Sequence, residues 1–99
     1  MRRAAKIDAN QPAIVAALRA VGCSVQSLAA VGKGVPDLLI GRHGRTWLVE
    51  VKDGALAPSR RRLTQDQIQW HDAWQGAPVH IIETVDDARS LTGAAIWPE

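Results

Sequence analysis

The spacing of apolar residues along the chain predicts helices that alternate with short strands. Residues 10–21 carry apolar side chains at intervals of three and four, which is typical of an amphipathic helix that ends before Gly22. Asn10 is the expected N-cap, because Pro12 then occupies the second helical position, where its missing N–H does no harm. Residues 23–30 alternate loosely between apolar and polar and predict a first strand.

Two apolar runs in the middle of the chain predict a β-hairpin. Residues 38–40 and 47–51 are rich in Val, Leu and Ile, and the polar turn Arg42-His43-Gly44-Arg45 lies between them. The apolar side chains of both strands are expected to face a layer of helices.

A long loop and a second helix follow the hairpin. Pro, Gly and Ser mark residues 53–62 as the loop. Thr64 and Gln67 have the spacing of a capping box, so the helix is expected to begin there. Its inward, packed face is predicted from residues at intervals of three and four, namely Gln67, Trp70, His71 and Trp74.

The last elements complete a mixed sheet. Residues 78–83 predict a fourth strand, and a short helix stopped by Gly93 follows. Three consecutive strands favour antiparallel neighbours, whereas the helical crossover before the fourth favours a parallel addition. We therefore expect one α/β (α+β) domain over residues 1–99, with a mixed four-stranded sheet flanked by helices in the order αβββαβα. Residues 1–7 are expected to form a flexible arm.

Three charged side chains lie where a buried sheet would otherwise be apolar. Glu50 and Lys52 share one face of the second hairpin strand, and Asp37 opens the first strand, where pairing can bring it beside Glu50. Two carboxylates at close range repel each other and hold a proton between them unless a cation lies there. Carboxylate oxygens suit Mg²⁺ or Mn²⁺. The Lys52 ammonium can stabilise charge on a phosphate or orient an attacking water.

The spacing of these residues resembles the signature of a nuclease superfamily. Pro36-Asp37, followed by Glu50-Val51-Lys52, is similar to the PD-(D/E)xK motif. The wider frame, Gly34-Val35-Pro36-Asp37-Leu38 with Leu63-Thr64-Gln65-Asp66-Gln67 downstream, resembles the small virus-type VRR-NUC branch. That branch includes stand-alone phage proteins related to Holliday-junction resolvases. The resemblance extends from about Asp8 to Leu91.

The resemblance implies a restriction-endonuclease-like core and metal-dependent hydrolysis of DNA phosphodiester bonds. Asp37 and Glu50 would hold Mg²⁺, for which Mn²⁺ can substitute, and the Val51 backbone carbonyl would be a further ligand. Lys52 would activate water or neutralise charge in the transition state, with Gln67 in support. A cap role and an active-site role for Gln67 both remain open.

The resemblance also implies a substrate and an assembly. Similar phage proteins act on branched DNA as dimers, so branched duplex DNA such as a Holliday junction is the expected substrate, and a homodimer the expected state. A pair of symmetric cuts needs two sites, which one domain of this size does not supply.

One position departs from the superfamily pattern. Many members place a glutamate near the start of the first helix, and the best-matching position here holds Asn10. Asn10 is either a structural cap or an accessory residue that orients a metal-bound water, but it cannot add negative charge.

The basic residues favour contact with phosphates near the predicted site. Net charge is only +2, but Lys33 lies in a Gly-Lys-Gly turn before Asp37, and Arg60, Arg61 and Arg62 lie in the loop after Lys52. A solvated loop is the alternative interpretation of the arginine run.

The sequence also bears on membrane insertion, nucleotide binding and cellular compartment. No apolar run is long enough to span a bilayer, and the Gly32-Lys33-Gly34 stretch lacks the spacing of a nucleotide-binding loop. The single cysteine, Cys23, is expected to be a small buried hydrophobe, which fits the cytoplasm of a bacterium or a phage-infected host cell.

Two alternatives to a nuclease are compatible with the sequence. A non-catalytic DNA-binding or regulatory module with the same fold would explain the missing helix carboxylate. A structural protein with an Asp-Glu-Lys ion-pair network would predict no metal binding. Buried charges are costly to keep without a use, which favours the enzyme.

Overall fold

The computed structural model describes residues 7–93, and its elements follow the predicted order. Three α-helices are present, α1 (Gln11–Ala20), α2 (Gln65–Ala73) and α3 (Val85–Thr92), and a short 3₁₀ helix lies at Pro58–Arg60. Four strands are present, β1 (Ser24–Ser27), β2 (Leu38–Arg42), β3 (Arg45–Val51) and β4 (His80–Ile82). The strands form one sheet in the order β1-β2-β3-β4, in which β4 is parallel to β3 and the other neighbours are antiparallel. The expected mixed four-stranded sheet is confirmed, whereas the predicted arm, except for its last position, lies outside the described residues.

A two-residue turn fixes the register of the hairpin on which the site depends. β2 and β3 are joined by His43 and Gly44, whose φ angles are 48° and 78°. Two successive residues with positive φ are typical of a type I′ turn, whose twist matches that of the flanking strands. The hairpin is therefore longer than the apolar runs predicted, and its register pairs Leu38 with Val49.

The two faces of the sheet have different neighbours. One face buries an apolar core with α1 and α3, made of Ile14, Leu18, Leu38, Ile40, Trp47, Val49, Val51, Ile82 and Ala88, together with Cys23. Because side chains alternate along β3, Glu50 lies on the opposite face, between Val49 and Val51. α2 lies on that opposite face and contacts it through hydrogen bonds to Glu50 and Lys52.

Two predictions about the elements are wrong in part. The predicted first strand shortens to Ser24–Ser27, because the chain turns directly after it and the Val31 N–H donates to the Leu28 carbonyl at 3.0 Å. The predicted packed face of α2 is not buried: no residue of the helix is fully buried, and Trp74 is 44% exposed. Trp70 and Trp74 instead stack on each other, with ring centroids 4.9 Å apart.

Among residues 7–93, no helix has the length and apolar character needed to cross a membrane. The longest of these helices, α1, has 10 residues.

Candidate active site

The hairpin register places the carboxyl groups of Asp37 and Glu50 side by side. Since Leu38 pairs with Val49, Asp37 lies across from Glu50 at the end of the paired region. The Val51 N–H donates a 2.8 Å hydrogen bond to Asp37 Oδ2, which ties the first strand to the ExK strand. Both carboxyl groups are buried, with Asp37 7% and Glu50 1% exposed. The proximity expected from the sequence is therefore present.

Burial and the neighbouring carboxyl group perturb the pKa of Glu50. Burial, and then the hydrogen bond and the negative charge of Asp37, raise the pKa of Glu50 from 4.5 to about 9, although the Lys52 charge partly offsets this. At neutral pH Glu50 is therefore protonated when no cation is bound.

The raised pKa of Glu50 predicts that the metal-free protein becomes less stable as pH rises. The folded state binds the Glu50 proton more tightly than the unfolded state does. The resulting contribution to the free energy of unfolding is therefore complete below pH 4.5 and is lost as pH rises through about 9. In EDTA, we expect the free energy of unfolding to fall by at least about 1 kcal/mol more in wild type than in Glu50→Gln between pH 5 and 9. Urea unfolding across that range measures this, and equal pH slopes for the two proteins would contradict the assignment.

Gln67 connects the two charged residues of β3 to the start of α2. Its Nε2 donates to Glu50 Oε2 at 3.0 Å, and its Oε1 accepts from Lys52 Nζ at 2.9 Å. The same Oε1 accepts from the Thr64 N–H at 2.8 Å, and the Gln67 N–H donates to Thr64 Oγ1 at 3.2 Å. The capping box and the contacts with the charged residues therefore coexist, and the cap fixes the amide that orients Glu50 and Lys52.

Gly34 brings the loop before β2 against the first turn of α2. Its φ is +83°, and a Cβ there would overlap the Asp66 carbonyl and lie 2.8 Å from the Gln67 nitrogen. Only glycine fits, because the backbone conformation and the close approach both exclude a side chain.

We therefore expect Gly34→Ala to destabilise the fold by about 2 kcal/mol or more and to displace Gln67 from Glu50. Gly44→Ala is the matched control, since Gly44 has φ +78° but leaves open space, with nothing within 4 Å, where a methyl group would lie. The control should lose only about 1 kcal/mol, the cost of a left-handed conformation. Urea unfolding of both variants measures the difference, and equal losses would contradict the close contact with α2.

A cleft of about 320 Å³ opens in front of the two carboxyl groups. The described residues that line it are Asp8, Gly34, Val35, Asp37, Glu50, Val51, Lys52, Thr64, Asp66 and Gln67. The predicted group Asp37, Glu50, Val51, Lys52 and Gln67 is thus brought to one place.

Asp8 is a cleft residue that the sequence reasoning missed. It precedes α1, and its carbonyl accepts from the Gln11 N–H at 3.0 Å. Its charge contributes to the raised pKa of Glu50, which indicates that the two groups are close. Asp8 is the only acidic residue before Asp37 in the chain, and that isolation is the signal that could have identified it.

Asn10 is the N-cap residue of α1, as predicted, and Pro12 lies within the first two helical positions. The Asn10 side chain makes no capping hydrogen bond, so the prediction is wrong only in that respect. Its backbone is helical, with φ −81° and ψ −12°, and Pro12 offers no N–H to a capping oxygen. The Asn10 Nδ2 instead donates to the carbonyls of Lys52 at 3.0 Å and Glu83 at 2.8 Å. Asn10 therefore fastens α1 to the ends of β3 and β4, and it is not among the described residues that line the cleft.

The predicted DNA-contacting residues have different environments. Lys33 is exposed, with φ 57°, in the loop that supplies Gly34 to the cleft. Arg60 and Arg62 are exposed in the loop before α2. Arg61 is half-buried and donates to Glu83 Oε2 at 2.7 Å, so it holds the loop against the end of β4.

His71, one turn after Gln67 on α2, also approaches Glu50. Its Nε2 lies 3.6 Å from Glu50 Oε1, and its side chain is only 13% exposed. Burial and the nearby Lys52 charge lower the pKa of His71 below 6.5, so its ring is neutral at pH 7.

The donors at the cleft fit a hard divalent cation. Asp37, Glu50 and Val51 all line the cleft, where the two carboxylates and the Val51 carbonyl would provide oxygen. Over the same residues, no three His, Cys, Asp or Glu side chains converge as a closed cage. Mg²⁺ is commonly held by one or two carboxylates and otherwise keeps water or takes substrate phosphate oxygens, so this donor set suits it.

Comparison with known proteins gives one informative similarity. No protein-family model matches the chain, and no curated protein matches it significantly. A solved structure described as a "VRR_NUC domain" superposes with a TM-score of 0.59 and 29% sequence identity, over 82% of this chain and 87% of that one. The similarity therefore extends over most of both chains.

Proposed function

We propose that this chain, whose fold and sequence support its assignment to the VRR-NUC family, is a metal-dependent endonuclease that hydrolyses phosphodiester bonds in DNA. The structural match indicates a nuclease domain. The observation that carries the proposal is the buried Asp37–Glu50 pair, with Lys52 held beside it by Gln67 at 2.9 Å.

The positions of the side chains support the proposed catalytic roles. Asp37, Glu50 and the Val51 carbonyl would hold Mg²⁺, or Mn²⁺ in its place, which supplies Lewis-acid polarisation of the scissile phosphate. Lys52 lines the same cleft, where its ammonium would donate to a phosphate oxygen or to the attacking water as negative charge develops. Gln67 restrains the Lys52 ammonium and one Glu50 oxygen, so neither has to be ordered when substrate binds.

Asp8 changes the balance between the catalytic and the non-catalytic proposals. The non-catalytic alternative depended on the absence of a carboxylate near the first helix. Asp8 supplies one at the cleft, immediately before α1. The presence of a further carboxylate at the cleft, besides Asp37 and Glu50, therefore favours an enzyme.

The proposal also covers how the protein binds DNA and which DNA structure it selects. Exposed Lys33, Arg60 and Arg62 lie on the loops that flank the cleft and can contact backbone phosphates. Branched duplex is the proposed substrate, and a homodimer the proposed state, because paired cuts across a junction need two sites.

Cleavage of a labelled four-way junction tests the proposal beside linear duplex and single strand of the same sequence. Each substrate is incubated with Mg²⁺, with Mn²⁺ and with EDTA, and the protein's mass in solution is measured in parallel. Paired nicks near the branch point that need metal are expected. Cutting without branch preference would remove the junction assignment but keep the nuclease, and binding without cutting under either metal would favour the regulatory module.

A further inference from the structure

The two oxygens of the Glu50 carboxylate have different surroundings. Gln67 Nε2 donates to Oε2 at 3.0 Å. Oε1 is buried, and His71 Nε2 on α2 lies 3.6 Å from it. Neither Oε1 nor His71 Nε2 has a hydrogen-bond partner anywhere in residues 7–93. Glu50 Oε1 and His71 Nε2 are thus buried near each other without a hydrogen bond. Burying an unpaired polar atom costs free energy, and a small movement that joined the two atoms would remove that cost.

His71 reaches Glu50 from the same helix face as Gln67. The two residues are four positions apart, so their side chains lie one above the other along α2. Gln67 lines the cleft, whereas His71 is not among the described residues that line it. A residue there can orient the carboxylate without occupying the space of a metal or a phosphate.

We propose that His71 is a positioning residue that, with Gln67, holds the Glu50 carboxylate in the orientation in which it binds metal. In the tautomer with its proton on Nε2, the ring donates to Oε1 while Gln67 donates to Oε2. Closing the 3.6 Å separation to a charge-assisted hydrogen bond requires a movement of roughly 0.7 Å, within the range of a side-chain rotation. The inference rests on the proposed metal-dependent function.

A purely structural role for His71 makes a different prediction. The ring also lies edge-on to Trp70, with centroids 6.4 Å apart, and could serve only to fill that space. A filler acts through its volume, so any apolar residue of similar size would replace it. A positioning residue acts through its N–H, so only a residue that carries a donor at the same place would replace it.

Two substitutions separate these roles. His71→Gln carries an amide nitrogen the same number of bonds from Cα as His71 Nε2, whereas His71→Met has similar length and no donor. Both residues favour helices, and α2 has no fully buried residue, so both variants are expected to fold. Thermal unfolding of both proteins in EDTA checks this.

The primary readout is metal affinity, measured as binding of Mn²⁺ by electron paramagnetic resonance in the absence of DNA. We expect His71→Met to weaken Mn²⁺ binding about 10-fold or more, the usual effect of removing a residue that orients a metal ligand, and His71→Gln to restore most of it. In cleavage assays at saturating Mn²⁺, His71→Met should recover most of its kcat, because the defect lies in holding the metal.

The outcomes distinguish this inference from the proposed function. Equal Mn²⁺ affinity in wild type and both variants, with wild type still cutting DNA, would overturn the role of His71 alone. Equal weakening in both variants would also overturn it, since the donor would then be irrelevant. A wild-type protein that neither binds Mn²⁺ nor cuts DNA would overturn the proposed function and this inference together.

Discussion

Replacement of Asp37 by Asn is expected to abolish DNA cleavage, by about 10³-fold or more, while the protein remains folded. The amide oxygen of Asn can still accept the Val51 N–H that Asp37 Oδ2 accepts at 2.8 Å, so the hairpin connection survives. What is lost is a negative charge that a divalent cation would need, and with it the electrostatic stabilisation of the transition state.

Two measurements check the Asp37 prediction. Initial rates on the preferred DNA substrate should fall to background, and calorimetry with Mn²⁺ should show a large loss of affinity. Asp53→Asn is the matched control, because Asp53 follows β3 and its Oδ1 accepts the N–H of Ala55, a residue two positions away, at 3.0 Å. Asp37→Asn with activity equal to the control would exclude Asp37 from the site.

Replacement of Lys52 by Met is expected to separate catalysis from metal binding. The ammonium lies 2.9 Å from Gln67 Oε1 and close enough to Glu50 to oppose the rise in its pKa. Met keeps the apolar length of the side chain but removes the charge, so the cleavage rate should fall about 10²- to 10³-fold. Mn²⁺ affinity should be unchanged or higher, because a cation no longer competes beside the carboxylates.

Lys52→Arg is the informative companion to that substitution. Arginine restores a positive charge but not the compact ammonium, and it cannot give up a proton near neutral pH. Substantial activity in Lys52→Arg would indicate a role in charge stabilisation, whereas activity as low as in Lys52→Met would indicate proton transfer to or from Lys52. Full activity of Lys52→Met would contradict a catalytic role.

The sequence predicted the elements of the sheet well because their signals are local. The turn at His43-Gly44 and the alternation of Val49, Glu50 and Val51 together determine which side chains face the core. The pairing that brings Asp37 beside Glu50 follows from the same register. Much of the candidate site could therefore be anticipated from the order of residues along the chain.

The orientation of α2 could not be predicted from its periodicity. Intervals of three and four at Gln67, Trp70, His71 and Trp74 describe one face of a helix, but they do not say what that face contacts. Here its first part meets the polar groups of Glu50 and Lys52, and its last residue, Trp74, is exposed. A polar site and an apolar core impose the same spacing, so only the tertiary structure distinguishes them.

The hydrogen-bond partners of Asn10, at the start of α1, also could not be predicted from neighbouring residues. Residues such as Asn10 commonly accept N–H groups at helix starts, which is why the sequence predicts a cap there. Its amide instead donates to two carbonyls that are 42 and 73 positions away along the chain, on Lys52 and Glu83. Such distant partners leave no local pattern, and the same is true of the placement of Asp8 at the cleft.

The most direct test of the proposed active site is the position of a bound metal. Crystals of the wild-type protein soaked in Mn²⁺ and measured near the manganese absorption edge would show it as an anomalous peak. We expect a peak within about 2.0–2.6 Å of oxygens from Asp37, Glu50 and the Val51 carbonyl. No peak at the cleft, or one bound elsewhere, in crystals of protein that cuts DNA with Mn²⁺ in solution would contradict this assignment of the metal ligands.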